Sequence, residues 1–243
     1  MEFPLDLKNV NSIKTVVIAD DHPLFRTALR EAVKPVLPNA RISEADSFPA
    51  LQAALQAAVA AGGPPDLVLL DLNMPGVRGF SSLLFLRSEF PHVPVIVVSG
   101  YEEPLLIQRV VHFGARGFIP KTSSLETMGN AVRTVLGGGT WTPPDVPKAD
   151  DKPEEEERAR RVASLSPQQL RVLLMLADGR LNKQIAHELS ITEATVKAHM
   201  TMILRKLGLV RRTQAAVLAQ RLIQDEALPL AVDHILDEDA PEE

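Results

Sequence analysis

The first 137 residues alternate short apolar runs with longer segments of helical spacing, and this alternation limits the possible folds more than any other feature. The runs are rich in aliphatic and β-branched residues and cover 15–19, 40–45, 67–70, 95–98 and 117–119. A segment with helical periodicity follows each run, at 23–36, 48–61, 80–90, 104–113 and 124–136. Buried strands that alternate with helices predict an α/β domain whose five-stranded parallel sheet is covered on both faces.

Carboxylates stand where the predicted strands end. Asp20 and Asp21 follow the first strand, and Asp71 follows the third. In the flavodoxin-like strand order 2-1-3-4-5, the first and third strands are neighbours, and ligands bind in the crevice between their carboxyl ends. Three carboxylates at this crevice repel one another unless a cation is present, and an all-oxygen site suits Mg²⁺.

Ser99 stands at the end of the fourth predicted strand and Lys121 comes after the fifth, so the same order brings them to this crevice. A carboxylate, a hydroxyl and an ammonium around a metal can accept and hold a phosphoryl group. Taken singly, each residue has a simpler interpretation. An aspartate before a turn is often a cap, a serine can merely end a strand, and a lysine can be a surface cation. Their convergence at one sheet edge favours the phosphoryl site.

The remainder of the chain contains no strand pattern. Gly137-Gly138-Gly139 ends the first domain, and a proline-rich, acidic stretch follows that we interpret as a solvated linker. From Ser166 onward the spacing predicts four helices, at 167–178, 182–189, 193–207 and 212–227. The tight turn at Ser190-Ile191 between two of them indicates a helix-turn-helix. A generic helical bundle is the alternative interpretation.

Charge separates the two alternatives. Residues 158–222 contain 12 Lys and Arg against 3 Asp and Glu, a net charge of +9 in a chain whose overall charge is −5. Acidic stretches flank this segment at 148–157 and 223–243. A basic segment of this kind is typical of nucleic-acid-binding domains. The absence of cysteine excludes disulfides and thiolate metal sites, and without a long apolar run we expect a cytoplasmic protein with no membrane partner.

The motifs together resemble the NarL/FixJ (LuxR-type) family of two-component response regulators. The stretches "VVIADDHPLFRTALR", "LVLLDLNMPGVRGF", "VIVVSGYEE" and "GARGFIPKTSS" are similar to the receiver signatures, in the same order. The stretch "NKQIAHELSITEATVKAHMTMILRKLGL", followed by "RRTQAA", resembles the helix-turn-helix signature of the effector domain. The resemblance implies a receiver at 1–140, a linker at 141–163, a DNA-binding domain at 164–227 and an acidic tail at 228–243.

The resemblance also implies roles for residues of the receiver. Asp71 would accept the phosphoryl group from a sensor histidine kinase, and Asp20, Asp21, Asp71 and the backbone carbonyl of Asn73 would bind Mg²⁺. The expected switch and phosphate-contacting residues are Ser99, Phe118 and Lys121. Beyond its own phosphorylation and dephosphorylation, a receiver of this kind is not an enzyme.

In the effector domain, the resemblance places the segment 192–207 in the DNA major groove. Lys197, Ala198 and Thr201 would face base edges, whereas phosphate contacts are expected from Lys183, Thr192, Thr195 and Arg205. The segment 212–227 resembles a dimerisation helix. The expected partners are therefore double-stranded DNA, a second copy of the chain and RNA polymerase.

Some positions depart from the expected pattern. Gln169 replaces the usual glutamate of the family, and Arg171 stands where an acidic residue is common. Thr122 follows Lys121 where many receivers have proline, although this family often lacks it. Two other functions stay open. A phosphohydrolase with an aspartyl nucleophile would require a second acid at the position of Asn73. A DNA-binding regulator whose receiver only dimerises would not need the complete acidic site.

Overall fold

The computed structural model describes residues 15–76, 80–144, 157 and 160–224. Its N-terminal half contains a five-stranded sheet in which all pairs are parallel, in the order β2-β1-β3-β4-β5. The strands are β1 (Thr15–Ala19), β2 (Arg41–Ala45), β3 (Leu67–Asp71), β4 (Val95–Ser99) and β5 (Gly117–Pro120). The predicted α/β class and strand order are confirmed.

Five helices cover the two faces of the sheet: α1 (Pro23–Val33), α2 (Phe48–Ala60), α3 (Ser81–Glu89), α4 (Pro104–His112) and α5 (Leu125–Leu136). Successive strand residues point to opposite faces, and both faces are apolar. One core combines strand residues such as Ile18 and Leu69 with residues of α1 and α5. The other combines Val17, Leu70 and Phe118 with residues of α2, α3 and α4.

Four further helices form the C-terminal half: α6 (Pro167–Ala177), α7 (Asn182–Glu188), α8 (Glu193–Leu207) and α9 (Arg212–Gln224). A capping box begins α6, since Ser166 Oγ accepts from Gln169 N and Gln169 Oε1 accepts from Ser166 N. Gly208 ends α8 with a φ of 70°, the left-handed conformation that favours glycine. The helices α7 and α8 form the predicted helix-turn-helix.

The described ends of the predicted linker pack on the two halves. Trp141 forms a parallel bridge with Gly117, and its backbone carbonyl accepts from Phe118 N at 2.9 Å. Residues 160–163 are helical, and Val162 is buried. Most of the predicted linker and the tail at 228–243 lie outside the described residues. In the part of the chain that is described, no helix is long and apolar enough to cross a membrane.

Candidate functional site

An acidic cluster forms where β1 and β3 end side by side. Ala19 pairs with Leu70 in the parallel register, so the residues that follow β1 meet the last residue of β3. Asp20, Asp21, His22 and Asp71 place ligand atoms within 4.8 Å of one another. Asp20 is 0% exposed and Asp71 2%, so the two carboxylates are withdrawn from solvent. The strand order thus brings together the three carboxylates that the sequence pointed to.

Lys121 supplies a cation to this cluster. It follows β5, and its Nζ lies 2.7 Å from Asp71 Oδ2 and 2.8 Å from Asp20 Oδ2. Its ammonium also lies 5.0 Å from the ring centroid of Phe25, within cation–π range. Burial lowers the pKa of Lys121, but the hydrogen bonds and charges of Asp20 and Asp71 outweigh this effect and raise it. The ammonium therefore stays charged and bridges the two buried carboxylates.

The charge balance of the cluster fits a divalent cation. Three carboxylates face one ammonium, which leaves about two negative charges uncompensated in a largely buried site. Oxygen ligands of this kind suit a hard cation. Asn73 also belongs to this edge, since its backbone N–H donates to Asp71 Oδ1 at 3.0 Å. The role of its carbonyl as a metal ligand stays a prediction.

Ser99 and Phe118 lie next to the cluster on neighbouring strands. Ser99 is buried, its Oγ accepts from Tyr101 N at 3.1 Å, and its backbone carbonyl accepts from Lys121 N at 2.8 Å. Phe118 pairs with Val97 of β4 and is fully buried in the core below α3 and α4. The inward position of Phe118 is therefore the one observed, and its role as a switch stays a prediction.

The second half of the molecule presents a polar helix face to solvent. In α8, Val196, Met200, Ile203 and Leu207 are buried, whereas Lys197, Ala198 and Thr201 are exposed on the opposite side. Of the predicted phosphate contacts, Lys183 and Arg205 are exposed, on α7 and α8 respectively. Thr192 is exposed as well and caps α8, because its Oγ1 accepts from Thr195 N at 3.1 Å. Its role as a phosphate contact stays a prediction.

Comparison with known proteins identifies both halves. The family model "response regulator receiver domain" matches residues 16–133, and "bacterial regulatory proteins, luxR family" matches residues 163–219. The glycerol metabolism activator of Pseudomonas putida is 38% identical over 214 residues, which cover 84% of this chain and 94% of that protein. The chain belongs to the LuxR-type two-component response regulators.

Other relatives agree with this assignment. The nitrate/nitrite response regulator protein NarL of Escherichia coli is 32% identical over 210 residues, covering 84% of this chain and 93% of NarL. A solved structure of two RcsB dimers bound to two parallel DNAs shares the fold, with a TM-score of 0.50, 22% identity and coverage of 87% of this chain and all of that chain. Because a receiver domain and a luxR-family regulatory domain match in one chain, the protein is a DNA-binding response regulator that regulates transcription.

Several residues of the regulator's acidic site were missed by the sequence reasoning. His22 Nδ1 lies 2.6 Å from Asp21 Oδ1, and Arg26 donates from Nη1 to the Asp20 carbonyl at 2.7 Å. Both follow the acidic pair closely, which is a signal that could have pointed to them. Thr122 Oγ1 donates to Glu102 Oε1 at 2.6 Å and so joins the loops after β4 and β5. No sequence pattern indicates that contact.

Proposed function

We propose that the regulator accepts a phosphoryl group on Asp71 from a phosphohistidine of a sensor histidine kinase, with Mg²⁺ as cofactor. The observation that carries the proposal is the position of Asp71, whose buried carboxylate meets Lys121 and the acidic pair at the carboxyl edge of the sheet. The same proposal makes the chain bind double-stranded DNA as a homodimer, with RNA polymerase as a further partner.

The transfer requires positioning and charge neutralisation more than covalent catalysis. A carboxylate oxygen of Asp71 attacks the phosphorus, and the P–N bond breaks with its electron pair passing to the imidazole nitrogen. Lys121, which already contacts Asp71 Oδ2, is placed to donate to the transferred oxygens. Asp20, Asp21, Asp71 and the carbonyl of Asn73 would hold Mg²⁺, which supplies neutralisation of the charge on the phosphoryl oxygens when bound.

The acquired group adds roughly 1.5 to 2 negative charges and three acceptor oxygens. Ser99 Oγ accepts a hydrogen bond from Tyr101 N, so its own hydroxyl proton is available for donation toward the phosphoryl group. Such a bond would draw the loop after β4 toward the site. We propose that Ser99 and Phe118 are the two residues of a local switch that responds to phosphorylation.

In the effector, the exposed face of α8 and the charge of +9 over 158–222 support insertion into the major groove. Lys197, Ala198 and Thr201 then face base edges. Phosphate contacts come from the exposed Lys183 and Arg205, and from Thr192 and Thr195 at the start of α8. Dimerisation through α9 would place two half-sites about one helical turn apart.

Labelling with acetyl phosphate tests the acceptor. Asp71→Asn should abolish incorporation of phosphoryl groups while the far-ultraviolet circular dichroism stays unchanged. Asp46→Asn, which alters an exposed carboxylate of the same domain, should label normally. Persistent labelling of the Asp71 variant would contradict the assignment.

A phosphate mimic tests whether the receiver is indifferent to phosphate. Beryllofluoride should change the affinity of the wild-type chain for DNA fragments selected by the protein, and should leave the Asp71→Asn variant unaffected. Equal wild-type affinities with and without the mimic would favour a receiver that works as a phosphate-independent dimerisation module.

A further inference from the structure

Arg171, one of the departures from the family pattern, lies at a contact between the two domains. Its guanidinium meets Glu89 at the end of α3, with Nε 2.6 Å from Oε1 and Nη2 2.9 Å from Oε2. Two parallel bonds of this kind fix orientation as well as proximity. We propose that the C-terminal end of α3 is the docking surface of the regulator's own effector domain and holds it as one rigid body with the receiver.

Arg87, two residues earlier on α3, supports this proposal with a more buried contact. Its Nη2 donates to the backbone carbonyls of Ala163 and Leu165 at 2.5 and 2.7 Å, immediately before α6 begins. Burial lowers the pKa of Arg87, which reflects the desolvation of its guanidinium. Such desolvation is unfavourable unless hydrogen bonds compensate. The two carbonyls provide such bonds to Nη2, and both belong to the effector side.

Gly114, in the loop between α4 and β5, makes room for the side chain of Arg87. A Cβ at this position would lie 3.2 Å from Arg87 Cδ, and the φ of +98° is in the region that favours glycine. The absence of a side chain at Gly114 therefore leaves space for Arg87, whose guanidinium reaches the effector domain.

Apolar packing joins the same two elements. The helices α3 and α6 are in direct contact, and α9 also touches α3. One continuous cluster of buried residues runs from Leu83 and Leu86 of α3 to Leu165, Leu170 and Leu173 of the effector side. Because exposed ion pairs alone contribute little, the contact depends on this apolar packing as well as on Arg87 and Arg171, which fix its geometry.

The docked arrangement leaves the DNA-reading face free. Lys197, Ala198 and Thr201 of α8 are exposed while α6 is docked on α3. The contact therefore transmits the orientation of the receiver to α8 and does not cover it. This inference rests on neither phosphoryl acceptance nor dimerisation, so its failure would leave the proposed function intact.

Relaxation of ¹⁵N amides in the unphosphorylated, DNA-free chain tests the docking. The two domains of the wild-type chain should report one rotational correlation time. Each of three single variants should give the two domains separate correlation times: Arg87→Ala, Glu89→Arg and Arg171→Glu. The double variant Glu89→Arg/Arg171→Glu should restore a common correlation time. Glu126→Arg makes the same charge change as Glu89→Arg, but on the exposed side of α5, and should behave as wild type.

Independent tumbling of the wild-type domains would overturn the inference, and so would additive effects in the double reversal. A common correlation time that is lost on dilution would place the contact between two chains and would also overturn the inference.

Affinity for a short duplex of random sequence tests whether the DNA-reading face is free. Arg87→Ala should match Arg133→Ala, an equal loss of charge on α5, whereas binding about tenfold tighter would show that docking covers that face.

Discussion

Lys121→Met would remove the ammonium that bridges Asp20 and Asp71 while it keeps a side chain of similar length over Phe25. Removing one partner of a buried ion pair costs about 3–5 kcal/mol, because the other charge is left uncompensated. The side chain of Lys121 is 18% exposed, whereas the side chains of Asp20 and Asp71 are almost fully buried. Partial solvent screening lowers the expected loss below this range, to about 2–3 kcal/mol in the absence of metal.

Unfolding by urea with EDTA present would measure this loss. The chain has a single tryptophan, Trp141, which is hydrogen-bonded to the edge of β5, so its fluorescence follows the receiver domain. Lys34→Met serves as a control, because the ion pair between Lys34 and Glu31 is exposed and should contribute no more than about 0.5 kcal/mol.

Magnesium should reduce the difference between wild type and Lys121→Met, because ammonium and metal neutralise the same carboxylates. If Mg²⁺ recovers about 2 kcal/mol of the loss, linkage requires that the variant bind Mg²⁺ roughly 30-fold more tightly than wild type. Titration followed by Trp141 fluorescence or calorimetry would measure both affinities. A variant as stable as wild type in EDTA, or one with unchanged Mg²⁺ affinity, would refute the reasoning.

Three further predictions concern pH, DNA and packing. The raised pKa of Lys121 means that its stabilisation is fully present below the ordinary lysine pKa of about 10.4 and is lost as the pH rises through its higher folded value. The stability difference between wild type and Lys121→Met should therefore stay constant from neutral pH to about 9 and shrink only in stronger alkali. Lys197→Ala should lower the affinity for selected DNA by about 1–3 kcal/mol and relax the sequence specificity. Lys183→Ala should instead weaken binding to all sequences and reduce the slope of log affinity against log salt concentration by about 1. Fluorescence anisotropy would measure both effects. Gly114→Ala should destabilise the receiver by about 1–3 kcal/mol in urea unfolding, since its φ of +98° and the nearby Arg87 disfavour a side chain.

Most of the receiver fold follows from residue patterns, because buried parallel strands are apolar runs and the helices between them are amphipathic. The sites at strand ends were predictable for the same reason, since topology alone brings Asp20 and Asp71 together. Local details follow less directly. The stretch Ser123-Ser124-Leu125-Glu126 has the spacing of a capping box that begins at Ser123, but the observed N-cap of α5 is Ser124, whose Oγ accepts from Thr127 N. Neighbouring serines compete for this position, and their spacing does not decide between them.

Contacts between the domains were not predictable in this way. Arg87 and Glu89 read as ordinary polar residues at the end of a helix, and Arg171 as an exposed cation of the basic segment. Their partners lie 76 to 82 residues apart in the sequence, and neither periodicity nor local charge indicates such pairs. The only local indication was that Arg171 stands where an acidic residue is common. This substitution does not by itself identify Glu89 as the partner.

The position of α3 gives the docking contact a consequence for signalling. Among the described residues, this helix is the first regular element after Asp71. Its nine residues extend over about 13 Å to the end that carries Arg87 and Glu89. A displacement of α3 would move Arg87 and Glu89, and with them the effector domain, including α8. Because α8 is exposed in the docked arrangement, such a displacement would change the orientation of the DNA-reading face and not its accessibility. A signal carried in this way should alter the preferred spacing of half-sites more than the affinity for a single one.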